Sequence, residues 1–285
     1  MSLLRHITHC NSFRADRCVA LRHDGRTIGT IRRDNAEMLK RFPALFTVAP
    51  DAVTLTAGGG FEAVTAAVDR CVEQLVAESI VPKWRNEFFA VAPQWRDAPH
   101  FRLDRGAVPF FGTRAYGVHL NGYRCDGGRL LLWIGKRAAD KMVAPGKLDN
   151  LVAGGIAWDH GLAATLAKEA EEEAAIPGPL IARARPAGAI SYRMETRLGV
   201  RNDVLFVYDL ELPTDFVPHN TDGEISEFTL MDAGEVMARV RDSDDVKFNV
   251  NLVLIDFALR HGIITPDERD YLALVTGLRR PLDWP

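Results

Sequence analysis

Three glutamates, Glu169, Glu172 and Glu173, crowd into the stretch Lys168-Glu-Ala-Glu-Glu-Glu-Ala-Ala-Ile176. Separations of three and four residues bring side chains together on a helix surface, so a helical reading puts all three carboxylates on one stripe. The apolar positions Leu162, Leu166, Ala170 and Ala174 form a second stripe beside it rather than opposite. A helix packed through that apolar stripe would hold its carboxylates along the edge of a cleft. Like charges held so close repel, and a hard divalent cation that prefers oxygen ligands relieves the repulsion. Mg2+ is therefore the expected cofactor, with Mn2+ as a substitute, and no His and Cys cluster points to zinc. Taken alone, an acidic stripe is more often the signature of a solvated helix face. Placement separates the two readings: a short strand at Leu151-Val-Ala, then Gly154-Gly155, a turn, and the acidic helix from Leu162 to Ala175, stopped by Pro177-Gly178-Pro179.

The elements that must position this helix are readable on both sides. Two apolar runs, Ala115–Tyr123 and Arg129–Gly135, flank Asp126-Gly127-Gly128 and read as a strand pair. Beyond the acidic helix, strands are expected at Ala187–Met194, Val204–Leu212 and Phe228–Met231, then helices at about Ala233–Val240, Val250–His261 and Pro266–Leu278. Upstream, the runs from Cys18 and from Thr27 flank Asp24-Gly25, a dipeptide suited to a tight hairpin turn. A short helix is expected over Asn35–Phe42. A longer one covers Glu62–Ser79, with Ala63, Ala66, Val68, Val72 and Leu75 at mostly helical spacing. The aromatic stretch from Trp84 to Arg105 suggests a short strand and a crossing loop. A boundary near Gly106–Gly112 divides the chain into a leading α+β unit, residues 1–112, of unknown role, and a second unit, residues 113–285.

Composition narrows the function classes. The 285 residues carry 35 basic against 38 acidic side chains, a net charge of −3, so no global field draws nucleic acid or anionic lipid. No run approaches the roughly 18 apolar residues of a membrane span, and Met1-Ser-Leu-Leu-Arg-His lacks the apolar core of a signal peptide. A cytoplasmic location is the default expectation. The four cysteines show no Cys-x-x-Cys spacing and read as reduced, mostly buried thiols.

The region around the acidic helix resembles the signature of the Nudix hydrolases: a glycine, five residues, a glutamate, seven residues, then Arg-Glu-aliphatic-x-Glu-Glu-x-Gly-aliphatic. Aligned on the paired glutamates, the glycine is Gly154, the core carboxylates are Glu169, Glu172 and Glu173, and the closing aliphatic residue is Ile176. Three positions depart: His160 stands for the first glutamate, Lys168 for the arginine and Ala175 for the second glycine. In the family the first two chiefly brace the loop and helix. Further runs, including Leu148-Asp-Asn-Leu-Val-Ala-Gly-Gly-Ile, Tyr208-Asp-Leu-Glu-Leu-Pro, Asp222-Gly-Glu-Ile-Ser-Glu-Phe, His261-Gly-Ile-Ile-Thr-Pro and Trp84-Arg-Asn-Glu, are similar to one branch, often labelled thiamine pyrophosphokinase-related, that carries an uncharacterised N-terminal domain. The resemblance implies an α+β architecture, a Nudix α/β/α sandwich with a mixed sheet preceded by a smaller α+β domain. It also implies a substrate class: thiamine diphosphate and its oxidised analogues, cleaved to the monophosphates. No Gly-x-x-x-x-Gly-Lys-Ser/Thr loop supports a kinase.

A diphosphate repels an incoming nucleophile, so its hydrolysis requires charge neutralisation and an aligned water. The resemblance assigns Mg2+ to Glu169, Glu172, Glu173 and a backbone carbonyl near Gly154. For the general base the family uses a box glutamate or a carboxylate from a later loop, which leaves Glu173, Glu224 and Glu227 as candidates, Glu224 slightly favoured by the glycine beside it. Lys136, Arg137, Lys141 and Lys147 are candidate phosphate cations. Asn150 and Asp149 are placed to orient the loop or read a ring edge. Tyr192, Phe206, Trp133, Trp84 and Trp95 are candidate stacking groups for a cationic ring. His119 and His219 read as structural. The expected partner is a small-molecule diphosphate, with neither nucleic-acid polymer nor membrane involved and a homodimer left open. The competing readings are a Nudix hydrolase of a nucleoside diphosphate derivative and a diphosphate-binding module without catalysis.

Overall fold

The computed structural model describes residues 1–283. In chain order the leading part contains α1 (Leu4–Cys10), β1 (Cys18–His23), β2 (Arg26–Arg32), α2 (Arg33–Leu39), β3 (Phe46–Val48), β4 (Ala52–Leu55), α3 (Phe61–Ala77), β5 (Phe88–Val91), β6 (Phe101–Asp104) and α4 (Val108–Phe111). The hairpin between β1 and β2 turns at Asp24 and Gly25, with φ of 49° and 71°, the left-handed pair that such a two-residue turn requires. These strands sit in a four-stranded sheet of order β2-β1-β4-β3, in which β1 and β4 run parallel. Helix α3 buries Val64, Val68, Cys71, Val72 and Leu75. Ala63 and Ala66, expected on that face, are exposed instead. The larger Val64 and Cys71 define the true stripe, because they have more apolar surface to withdraw from water.

The second part contains β7 (Arg114–Asp126), β8 (Arg129–Arg137), β9 (Leu148–Asp149), β10 (Val152–Gly155), α5 (Leu162–Ala174), α6 (Gly178–Ile181), β11 (Arg185–Glu195), β12 (Val200–Glu211), β13 (Ile225–Asp232), α7 (Ala233–Asp242), α8 (Val250–Arg260) and α9 (Tyr271–Gly277). Its sheet has the order β11-β12-β7-β8-β13. β12 runs parallel to β7, while β10 pairs antiparallel with one stretch of β7 and β9 with the end of β8. Strand alternation divides the side chains between two cores. On β8, Leu132 and Ile134 join the core under α7 and α8, whereas Trp133 joins the core under α5 and α6. The result is the expected α/β/α sandwich with a mixed sheet.

Contacts at both faces tie the leading part to this sandwich. Leu3, Ile7 and Cys10, from α1 and the residue before it, are buried in the core beneath α8 and α9. With a boundary after residue 112, the leading unit therefore sends its first helix into the second unit's core. At the other face, the Trp158 N–H donates to the Phe88 carbonyl at 2.9 Å, linking the loop before α5 to β5. Three cysteines, Cys10, Cys18 and Cys71, are buried thiols and Cys125 is an exposed one.

Candidate active site

Helix α5 packs through Leu166, Ala170 and Ala174, with Leu162 partly buried at its start. That orientation turns Glu169, Glu172 and Glu173 into one cleft of about 490 Å3. Glu173 lies deepest, only 4% exposed, and its Oε2 accepts the Ala153 N–H of β10 at 2.8 Å. Glu169 lies across Gly154, where any Cβ would stand 2.4 Å from Glu169 Cγ and Cδ. Only glycine lets strand and carboxylate approach so closely. Glu172 is farther out and accepts a 2.5 Å bond from Lys168 Nζ, which also lies 3.6 Å from Glu169.

The C-terminal end of α5 fixes a second set of acids. Ala175 takes a left-handed conformation with φ 51°, and the Ile176 N–H closes back on the Ala170 carbonyl at 3.0 Å, a Schellman-type end. The remaining helix carbonyls are met by the loop after β12. His219 N–H donates to Ala174, Thr221 N–H and Oγ1 donate to Glu172, and Asn220 Nδ2 donates to Glu173. This docking carries Asp222 and Glu224 to the cleft wall. Gly223 makes the turn at φ 79°, and Glu224 is held by Lys141 Nζ at 2.8 Å.

Burial raises the proton affinity of Glu173 well above the usual carboxylate range, against the Ala153 N–H bond and with help from Asp149, Glu169 and Glu224. Burial likewise raises Glu169, opposed by Lys168 and reinforced by Glu172 and Glu224. The cleft thus gathers carboxylates that the nearby cations do not fully neutralise. Their oxygens do not yet converge: the one trio of His, Cys, Asp or Glu ligand atoms within 4.8 Å among the described residues is His23, Asp24 and His100, elsewhere in the molecule. Glu172 is drawn to Lys168 and Glu173 to β10. As a donor set, three carboxylates beside the backbone of the half-buried Gly154 offer hard oxygen only, which fits Mg2+ or Mn2+ and not a thiophilic metal.

Cations meet these acids across the cleft. Arg137 Nη1 and Lys247 Nζ both donate to Asp149 Oδ2, each at 2.9 Å. Two positive groups on one buried carboxylate leave a positive excess at the cleft wall. Arg201, paired with Asp203 at 3.3 Å, also lines the cleft.

Several expected site residues lie elsewhere. Lys136, Lys147 and Glu227 line a different concavity with Pro145 and Arg239. Alternation along β8 explains Lys136, whose neighbour Arg137 takes the cleft side; Glu227 stands opposite Lys136 in the ladder, and Lys147 Nζ bonds the Asp244 carbonyl at 2.5 Å. Asn150 is buried, its Oδ1 accepting from His119 Nδ1 at 2.8 Å and its Nδ2 donating to Asn121 Oδ1 at 2.7 Å. Tyr192 is a core residue whose hydroxyl donates to Asp203 at 2.6 Å. Both brace cleft residues without lining the cleft. Among the candidate stacking groups, Trp95 is packed against Tyr116 and Phe206 at 4.5 and 4.7 Å. Trp133 is buried and Trp84 stands edge-on to Phe88 at 5.8 Å. The aromatic rings that do line the cleft include Phe88, Phe89 and Trp158. Trp158, inside the Gly155-to-helix loop, was available to sequence reasoning through that position; Lys247, Arg201 and Arg105 carried no local motif. Of the departures, His160 is exposed and bonded to Asp159, and Lys168 donates to Glu172.

Comparison with known proteins places these features. Residues 117–250 match the NUDIX domain, and residues 2–115 match a domain of unknown function, DUF4743. The chain is 40% identical over 262 residues to Nudix hydrolase 20, chloroplastic, of Arabidopsis thaliana, covering 88% of this chain and 70% of that protein. It is 44% identical over 215 residues to Nudix hydrolase 24, chloroplastic, of the same plant, covering 75% of this chain and 59% of that one. A crystal structure from Deinococcus radiodurans superposes with a TM-score of 0.46 at 22% identity, covering 59% of this chain and 97% of that one.

Proposed function

The chain belongs to the Nudix hydrolases, enzymes acting on phosphorus-containing anhydrides, and from that premise we propose that it cleaves thiamine diphosphate or its oxidised analogues to the monophosphate and phosphate. One observation carries the reading: a single cleft holds the Glu169, Glu172 and Glu173 stripe, the Glu224 turn and the Arg137–Lys247 pair. Carboxylates for a divalent cation and cationic side chains for phosphate oxygens thus share one space. The thiamine class is supported by the motifs of the whole chain and by the rings of Phe88 and Trp158 on the cleft wall; one face of each is already taken, by Arg102 at 4.0 Å and by Phe61 at 5.2 Å, and the other is left for a cationic ring.

In the proposed mechanism Glu169, Glu172, Glu173 and the Gly154 carbonyl would hold Mg2+, with Mn2+ as a substitute. Such an ion neutralises phosphate charge and lowers the pKa of a bound water. Arg137 and Lys247 orient the diphosphate through charge-assisted hydrogen bonds. Glu224, steadied by Lys141, accepts the proton of the attacking water as its oxygen bonds to phosphorus and the bridging P–O bond breaks. Glu173 is the alternative base; Glu227, on the other concavity, is not. The division into residues 1–112 and 113–285 and a cytoplasmic location belong to the same proposal. No helix of the described residues is long and apolar enough to cross a membrane.

The test is phosphate release from a panel of diphosphates with and without Mg2+. Metal-dependent turnover that is fastest for thiamine compounds is expected. Robust turnover of a nucleoside diphosphate derivative with thiamine diphosphate inert would overturn the substrate assignment, and binding without cleavage of any diphosphate would overturn catalysis.

A further inference from the structure

The leading unit does more than flank the cleft. Asn86, Glu87, Phe88, Phe89 and Arg105 form one of its walls. Asp104, fully buried, organises that wall. Its Oδ2 accepts the N–H groups of Arg85 and Asn86, both at 2.9 Å, and its Oδ1 accepts that of Gly106 at 2.7 Å. One carboxylate therefore knits the segment before β5 to the turn after β6. The turn is tight enough that a Cβ at Gly106 would stand 2.3 Å from the Lys83 carbonyl.

Arg105 is held out on this turn. Its N–H donates to the Glu87 carbonyl at 2.7 Å and its Nη1 to Glu87 Oε2 at 2.5 Å. Its guanidinium lies 5.8 Å from the Phe89 ring. That ring in turn abuts β10, where a Cβ at Gly155 would stand 2.6 Å from Phe89 Cζ. Arg105 thus reaches the site through one ring and one strand residue, and its charge acts on Glu169. The Glu87 bond is the only hydrogen bond its guanidinium makes among the described residues. A guanidinium carries five N–H donors in a planar fork, so most of its capacity is unused. Its side chain is 44% exposed, which leaves it accessible to a ligand.

We propose that Arg105, presented by the leading unit, is a phosphate-binding residue of the active site, so that the diphosphate is gripped from both units at once. The proposal deepens the functional reading above and rests on it. It also gives the domain of unknown function a role: a preorganised wall whose loops, cross-braced by Asp104, deliver a planar hydrogen-bond donor for phosphate to the Nudix cleft. Ordering paid before the ligand arrives lowers the cost of binding.

The test uses the full chain with Arg105→Gln and Arg105→Lys, Mg2+, and the non-hydrolysable probe imidodiphosphate in calorimetry. Loss of one charge-assisted phosphate contact is expected to weaken probe binding roughly 10- to 100-fold in Arg105→Gln. KM for the hydrolysed diphosphate should rise with it, the melting temperature should hold, and Arg105→Lys should recover part of the loss. Equal probe affinity in Arg105→Gln and wild type, or no probe binding by wild type, overturns the proposal and reduces Arg105–Glu87 to a surface ion pair. Turnover bears on the functional reading separately: a wild type that binds the probe in an Arg105-dependent way but cleaves no diphosphate preserves the binding role while refuting catalysis.

Discussion

Glu173 concentrates the chemistry of the site in one side chain: it is buried, bonded to the Ala153 N–H and surrounded by other acids. Glu173→Gln keeps the shape and the Ala153 bond but removes the charge. Metal-dependent phosphate release should fall by at least about 100-fold with little loss of stability; release within a few-fold of wild type would show that Glu173 is no ligand or base. His119 offers a prediction of a different kind. Burial, chiefly, lowers its pKa from 6.5 to about 4. Between those values the unfolded chain binds a proton that the folded chain refuses, so stability is full above pH 6.5 and declines as pH falls toward 4, by at most about 3 kcal/mol. Denaturant midpoints at pH 7 and 4.5 should differ in that sense, and His119→Gln should shrink the difference. The helix carboxylates were legible in the sequence because their spacing maps directly onto one face. Lys136, Tyr192 and Asn150 were not placed correctly, because a strand reverses face at every residue and a polar group reads alike whether it meets ligand or a buried neighbour.

Helix α5 shows what element-level patterning decides. Leu166, Ala170 and Ala174 bury as their period requires, and the Asp24-Gly25 hairpin forms where its turn chemistry places it. Ala175 is the exception at this scale, a left-handed alanine at φ 51° where the family signature has glycine. Ala175→Gly removes a Cβ strain of roughly 1–2 kcal/mol, partly offset by the greater freedom of glycine in the unfolded chain. A net gain of about 1 kcal/mol is expected, raising the melting temperature by a few degrees, and scanning calorimetry checks it. In the sequence the loop carrying Glu224 is marked only by the glycine beside it. Its attachment to α5 through His219, Asn220 and Thr221 depends on helix carbonyls that no sequence pattern advertises.

Across the whole molecule, the two units are interlocked rather than strung together. α1 seats Ile7 and Cys10 in the core beneath α8 and α9, while β5 holds the loop before α5 through Trp158. Helix α1 is not legible in the sequence because seven residues with two histidines and an arginine show little apolar periodicity until they are docked. A chain limited to residues 113–285 would uncover that core face. It should be markedly less soluble and melt lower than the full protein, and equal melting temperatures would contradict the interlock. The same interlock is what lets a leading unit contribute to a cleft built on another sheet. The most direct test of the account is phosphate release from thiamine diphosphate by the purified full chain as Mg2+ is titrated. The account predicts release of one phosphate per thiamine monophosphate, saturating with Mg2+ and abolished by chelation; no release at any Mg2+ concentration, or release undiminished by chelator, would contradict it.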